Sequence, residues 1–202
     1  MPFRAFHAIA MICLVALAGP ARAEGAPGTA SDAIKAFDGE LLDVMKNAKT
    51  LGLRGRYEKL EPAVQKAFDL PFMTKLSIGP SWGRLTPDQK QRAAQAFGRY
   101  VTATYANRFD GYSGQQWPVL GETKIKHGVL VRTQIVQPNE APVSINYVLH
   151  DNDQAWQIRD VYLGGSISEL ATRRSEFTGI LRNQGVDGLI AVLNKKADAL
   201  TG

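Results

Sequence analysis

The feature that most constrains the fold is a change in the period of the apolar residues along the chain. From residue 31 to about residue 107 the apolar positions recur at intervals of three and four, which is typical of amphipathic helices. Between residues 117 and 162 the period is two, and after residue 168 it returns to that of a helix. This order predicts an α+β fold, in which helices pack against one antiparallel sheet.

The clearest helix start is the run Thr86-Pro87-Asp88-Gln89, which supplies an N-cap threonine, a proline in the first turn and a glutamine at the N3 position. Ser31 is a second candidate N-cap, and Pro62 is expected to break or kink the helix that contains it. Gly185 is a natural stop between two helices near the end of the chain. The sequence predicts about six helical segments, over residues 31–48, 53–68, 69–76, 86–107, 168–183 and 187–200.

The part of the chain with period two contains short segments separated by turn residues. Asn139, with a proline on each side at 138 and 142, marks one turn, and the run 151–153 marks the next. Segments joined in this way predict an antiparallel meander of about four strands, over residues 117–125, 129–136, 143–149 and 155–162.

The first residues have the order of a secretory signal peptide. Arg4 precedes an apolar run over residues 8–18, and Ala21-Arg22-Ala23 supplies the small residues of a cleavage site. The run is about half of the roughly 20 apolar residues that a membrane span needs. We predict cleavage of residues 1–23, a flexible leader over residues 24–30 and one domain over residues 31–200.

Composition narrows the chemistry that is open to this domain. The single cysteine, Cys13, lies in the predicted signal peptide, so the cleaved chain would have neither a disulfide nor a thiolate. Loss of Arg4 and Arg22 leaves 22 basic against 19 acidic residues, without a concentrated basic stripe. Nucleic acid is therefore not an expected partner. The remaining histidines, His127 and His150, lack the spacing of metal ligands, and we predict neither a metal nor a cofactor.

One short run resembles the nucleophile elbow of a hydrolase. Residues 79–83 read Gly-Pro-Ser-Trp-Gly, which fits the G-x-S-x-G pattern with Ser81 as the nucleophile. That elbow requires a strand before the serine and a helix directly after it. Here a predicted helix precedes the serine and the next helix begins only at Thr86, so we interpret the run as a turn between helices.

Many large apolar residues are predicted to face one interior between the helices and the sheet. Ordinary core positions have the same composition as the walls of a binding cavity. The residues alone leave both possibilities open.

Across residues 30–200 the chain resembles the MlaC family of periplasmic lipid-binding proteins, also called toluene-tolerance proteins. The resemblance is carried by 67–73 (AFDLPFM), 79–82 (GPSW), 85–89 (LTPDQ), Phe97 to Tyr105, 112–114 (YSG), 156–161 (WQIRDV) and 185–190 (GVDGLI). The run at 165–177 (GSISELATRRSEF) departs from the usual family pattern and is similar to the hopanoid-associated HpnM branch.

The resemblance implies an NTF2-like curved antiparallel sheet wrapped by helices around a cavity for lipid tails. It also implies a monomeric, non-enzymatic periplasmic protein that carries phospholipid or a hopanoid-type lipid between complexes of the inner and outer membranes. The residues expected to line the tail pocket are Phe97, Val101, Tyr105, Val131, Ile145, Tyr147 and Trp156. The alternative is an NTF2-like structural adaptor of such a complex that holds no lipid.

Overall fold

A computed structural model describes residues 28–152 and 154–201 of the chain. The predicted signal peptide and most of the predicted leader lie outside the described residues. Within them, helices pack against a single antiparallel sheet and share one hydrophobic core, which confirms the predicted α+β class and the single domain.

The first helix, α1, spans Ala30–Lys46. Its N-cap is Thr29 and not the predicted Ser31, because Thr29 and Asp32 form a reciprocal capping box. Ser31 instead donates from its backbone N (3.0 Å) and from its Oγ (2.7 Å) to Oε2 of Glu122. The start of α1 is thereby fixed to the first strand of the sheet.

The second helix, α2, spans Ala48–Ala67 and is broken at Gly52, not at Pro62 as the sequence predicts. Gly52 adopts φ +61°, a conformation that costs glycine little. The third helix, α3, spans Leu70–Ile78 and begins after Asp69, whose Oδ1 accepts a hydrogen bond from the backbone N of Phe72 (3.2 Å).

A short 3₁₀ helix, Gly79–Arg84, leads into the fourth helix, α4, which spans Pro87–Arg108. The predicted capping box is present, because Thr86 Oγ1 accepts from the backbone N of Gln89 (3.1 Å) and Gln89 Oε1 accepts from the backbone N of Thr86 (3.2 Å). The start of α4 is thus determined by local sequence.

The sheet has five strands in chain order, each antiparallel to its neighbour. The four predicted strands are present, and a short fifth strand follows them. The first strand is an edge strand with a register shift between Val119 and Gly121. The strands are β1 (Val119–Ile125), β2 (Gly128–Ile135), β3 (Val143–Asp151), β4 (Trp156–Leu163) and β5 (Ile167–Ser168).

Only glycine fits at position 128, in the turn between β1 and β2. It has φ +140°, and a Cβ atom there would lie 2.0 Å from the carbonyl oxygen of Leu149. The turn can therefore close against β3 only if residue 128 has no side chain.

The last helix, α5, spans Glu169–Thr201 and includes both C-terminal segments that the sequence predicts as separate helices. Gly185 leaves helical geometry at φ +66°, so the predicted stop marks a break inside one helical element. The six predicted segments therefore appear as five α-helices in the described part of the chain.

The core lies between the inner face of the sheet and the helices. Leu149 and Ile158 project from β3 and β4 into this core, and Phe97 of α4 packs edge-on against Phe177 of α5 at 6.3 Å between ring centroids. Among residues 28–152 and 154–201, no helix is both long and apolar enough to cross a membrane.

Candidate functional site

A cavity opens within the core where α4 and the start of α5 face strands β3 and β4. Its volume is about 100 Å³. Helix α4 contributes Phe97, Val101 and Tyr105 to the wall, and strand β3 contributes Ile145 and Tyr147. Residues four apart lie on the same face of a helix, and residues two apart lie on the same face of a strand. The apolar side chains of α4 and of β3 therefore line the same cavity.

Five of the seven residues predicted from the sequence line this cavity: Phe97, Val101, Tyr105, Ile145 and Tyr147. Eleven further residues, which were not predicted as pocket residues, complete the wall. They are Phe68, Met73, Tyr100, Thr104, Arg108, Phe109, Val161, Leu163, Glu169, Leu170 and Arg173.

The structure places Val131 and Trp156 outside the cavity. Val131 lies on β2, where α1 packs against the sheet, and its side chain is fully buried in the core. Trp156 stands at the start of β4, opposite Asp151, whereas the cavity is lined by Val161 and Leu163 from the other end of that strand. Trp156 instead lines a groove beside α1 and α2.

Aromatic rings close the inner end of the cavity. Phe68 is buried, and its ring lies 5.2 Å from the ring of Phe37 and 5.8 Å from that of Tyr105, both in edge-to-face geometry. Phe37 and Tyr105 also meet edge-to-face at 5.5 Å. Such arrangements are favoured by the charge distribution of the rings, so the inner end is a packed aromatic wall.

One carboxyl group lies behind this wall. The Tyr147 hydroxyl donates to Asp38 Oδ1 at 3.4 Å, and Asp38 Oδ2 is buried with no hydrogen-bond partner among the described residues. Burial raises the pKa of Asp38 to about 7, although the hydrogen bond from Tyr147 acts in the opposite direction. Burial also raises the pKa of both Tyr105 and Tyr147, with the Asp38 charge contributing in the same direction.

The other end of the cavity is polar. Thr104 and Arg108 lie one turn apart near the end of α4, and Glu169 and Arg173 lie one turn apart at the start of α5. Arg173 pairs with Glu169 at 2.9 Å and with Glu176 at 2.9 Å. The apolar space therefore ends in a group of charged side chains where it meets solvent.

Some of the missed wall residues had a signal in the sequence. Tyr100, Thr104 and Arg108 form the helical row beside Phe97, Val101 and Tyr105, and Val161 and Leu163 alternate on β4. Glu169 and Arg173 carry no apolar pattern. Their position depends on how α5 packs against α4, which local sequence does not determine.

The arrangement provides apolar contact and a few charges, and no group of acid, base and nucleophile. Ser81 lies in the 3₁₀ helix directly after α3, which is not the setting of a nucleophile elbow. Its hydroxyl accepts a hydrogen bond from Arg84 Nη2 at 3.3 Å. Within residues 28–152 and 154–201, no cluster of histidine, cysteine and acidic side chains could hold a metal ion.

The sequence of the chain matches the model of a known protein family. The sequence model of the MlaC protein aligns with residues 35–195, which is most of the chain. The chain belongs to the MlaC family. This family comprises lipid-binding transport proteins and is not a family of enzymes. The predicted family is therefore confirmed, while its hopanoid-associated branch remains a prediction.

Two relatives extend the comparison. The intermembrane phospholipid transport system binding protein MlaC of Haemophilus influenzae is 24% identical over 134 residues, which span 64% of this chain and 62% of that protein. The phospholipid-binding protein of Ralstonia solanacearum, solved in complex with a phospholipid, is 20% identical with a TM-score of 0.75. That alignment covers 87% of this chain and all of the solved chain, and it shows a shared fold.

Proposed function

We propose that this MlaC-family protein is a lipid carrier that encloses the acyl chains or rings of one lipid in the cavity between α4, α5 and strands β3 and β4. The observation that carries the proposal is the apolar cavity with one polar end, because this is the shape and polarity of an amphipathic ligand. Its volume of about 100 Å³ is below the range of about 300–1,000 Å³ that is usual for ligand sites, so the side chains of the wall must move apart when a lipid enters.

The energetics of lipid transfer favour an enclosed site. Each methylene group exposed to water costs about 0.8 kcal/mol, so a chain of 16 carbons costs roughly 13 kcal/mol. A surface groove leaves much of that chain in water. The buried side chains of Phe97, Ile145 and Tyr147 can replace water along it with apolar contact.

We propose further that the protein acts in the periplasm and exchanges lipid with complexes of the inner and outer membranes. The signal-peptide pattern of residues 1–23 supports export. The relative from Haemophilus influenzae belongs to an intermembrane phospholipid transport system, which supports a role between two membranes. The relative from Ralstonia solanacearum was solved with a phospholipid. Phospholipid is therefore the proposed cargo, with a hopanoid-type lipid as the alternative.

The test is native mass spectrometry of the protein purified from its own periplasm, followed by organic extraction and identification of the lipid. The expected result is a stoichiometric added mass that resolves to a phospholipid. An added mass that resolves to a hopanoid would assign the chain to the hopanoid-associated role. A bare polypeptide mass under gentle conditions would contradict the carrier function and favour an adaptor without lipid.

A further inference from the structure

The charged and threonine residues of the cavity wall come from two helix ends. Thr104 and Arg108 lie near the end of α4, Glu169 and Arg173 lie at the start of α5, and the other wall residues are aliphatic, aromatic or methionine side chains. Arg108 is the exposed member of this wall, so it marks the opening to solvent. A ligand whose apolar part fills the cavity must place its polar group beside these four residues.

Arg173 is already occupied by protein partners. Its side chain is only 13% exposed, and its two terminal nitrogens donate to Glu169 and Glu176. Its guanidinium also lies 5.3 Å from the centroid of the Tyr100 ring. These contacts neutralise and fix Arg173, so it is a positioned part of the wall rather than a free anion site.

Arg108 differs from Arg173 in having donors to spare. Its guanidinium makes no hydrogen bond or ion pair with any side chain in residues 28–152 and 154–201. The positive charge of Arg108 in the last turn of α4 also interacts favourably with the helix dipole. That interaction does not use the hydrogen-bond donors of the guanidinium. The planar donors of the guanidinium therefore have no protein partner among the described side chains, and Arg108 lines the cavity.

We infer that Arg108 binds the phosphate of a lipid headgroup at the opening of the cavity. Guanidinium donors match phosphate oxygens in pairs, and such charge-assisted bonds are stronger than neutral ones. The inference rests on the proposed carrier function, and it adds a chemical preference, since the apolar wall alone does not distinguish a phospholipid from a neutral lipid with the same tails.

The experiment loads the delipidated protein with an equimolar mixture of phosphatidylglycerol and diacylglycerol that carry the same acyl chains. The ratio of the two loaded lipids is read by native mass spectrometry. The wild type is expected to favour phosphatidylglycerol by roughly tenfold, in line with one charge-assisted contact. Arg108→Ala is expected to load both lipids about equally, and Arg108→Lys is expected to retain part of the preference because a lysine keeps the charge and loses the paired donors.

The matched control is Arg182→Ala, which removes an exposed arginine of α5 that does not line the cavity. This control is expected to keep the wild-type ratio. A parallel titration with inorganic phosphate separates a headgroup site from a site for a free anion. Binding of inorganic phosphate that depends on Arg108, without a preference for phosphatidylglycerol, would overturn the headgroup assignment.

The remaining outcomes separate this inference from the carrier function. If the wild type loads both lipids equally, or if Arg108→Ala keeps the preference, the role of Arg108 is refuted and the carrier function stands. If neither lipid loads into the wild type, both proposals fail together. Circular dichroism of Arg108→Ala verifies that its fold is unchanged.

Discussion

The two ends of the cavity differ in the burial and the partners of their ionisable side chains. At the inner end, Asp38 is buried behind Tyr147 with one carboxyl oxygen lacking a partner. At the outer end, Arg173 shares its charge with two glutamates and Arg108 stands in solvent. Charge at the inner end is therefore opposed by burial, whereas charge at the outer end is either paired or hydrated.

Because of this difference, we expect substitutions at the inner end to change stability and substitutions at the outer end to change ligand recognition. Substitutions at the inner end act on packing and on a desolvated carboxyl, so they change the free energy of unfolding. Substitution of the exposed Arg108 at the outer end touches few buried atoms, so we expect it to change which ligand binds.

Tyr147→Ala is expected to reduce the free energy of unfolding of the delipidated protein by about 3–5 kcal/mol, the usual cost of removing a buried aromatic side chain. Tyr147 is only 1% exposed and stands between Asp38 and the cavity. Urea denaturation measures the change. The matched control is Tyr112→Ala, at an exposed tyrosine, and an equal loss in both variants would refute the packed inner end.

The second prediction concerns pH. The pKa of Asp38 in the folded protein is about 7, above its value of 3.8 in the unfolded chain, so the folded state holds a proton that the unfolded state releases. The stability from this group is therefore fully present below pH 3.8 and is lost as pH rises to about 7. Each pH unit well inside that window costs about 1.4 kcal/mol, and the cost decreases as pH approaches the folded pKa, so the loss between pH 5 and pH 7 is about 2 kcal/mol.

Asp38→Asn isolates this effect, because the amide stays neutral at every pH. We expect the wild type to lose more stability than the Asn variant between pH 5 and pH 7, and the two curves to run parallel above pH 8. Urea denaturation at several pH values measures both. Parallel curves over the whole range would mean that Asp38 is ionised in the folded protein at pH 5.

Val101→Trp is expected to fill part of the cavity from α4 and to lower lipid loading at least tenfold, a change of about 1.4 kcal/mol in binding free energy. Val101 is half-buried and lines the cavity. Val143→Trp is the matched control, since Val143 is exposed and outside the wall. Lipid per protein after extraction measures the effect, and normal loading of Val101→Trp would place the tails elsewhere.

Arg108→Ala is expected to change the free energy of unfolding by less than about 0.5 kcal/mol, as is usual for an exposed site. The same urea experiment measures it. A loss of several kcal/mol would show that the outer end stabilises the fold and would remove the contrast between the two ends.

The sequence predicts the start of a helix well where the residues that cap it lie close together in the chain. Thr86 and Gln89 are enough to define the start of α4, because both partners of the capping box lie within one turn. The start of α1 was predicted two residues late. Ser31 is a good N-cap residue, but only Thr29 has an acidic residue three positions later to complete the box.

The cavity was predictable only in part, because its wall depends on contacts between distant segments. Periodicity brings Val101 and Tyr105 to one face of α4, and it brings Ile145 and Tyr147 to one face of β3. Periodicity does not predict which part of one helix or strand lies beside which part of its neighbour. Trp156 has the residue type of a wall position, yet it stands at the far end of β4 from the cavity.

Strand β1 has one consequence for the behaviour of the protein at high concentration. An unpaired sheet edge can serve as a template for a strand of another copy, which leads to aggregation. In this chain the register shift at Leu120 interrupts that edge, and Glu122 and Lys124 add charges of both signs along it. Ser31 also holds Glu122 against the start of α1. The edge formed by β1 is thereby a poor template for a strand of another copy.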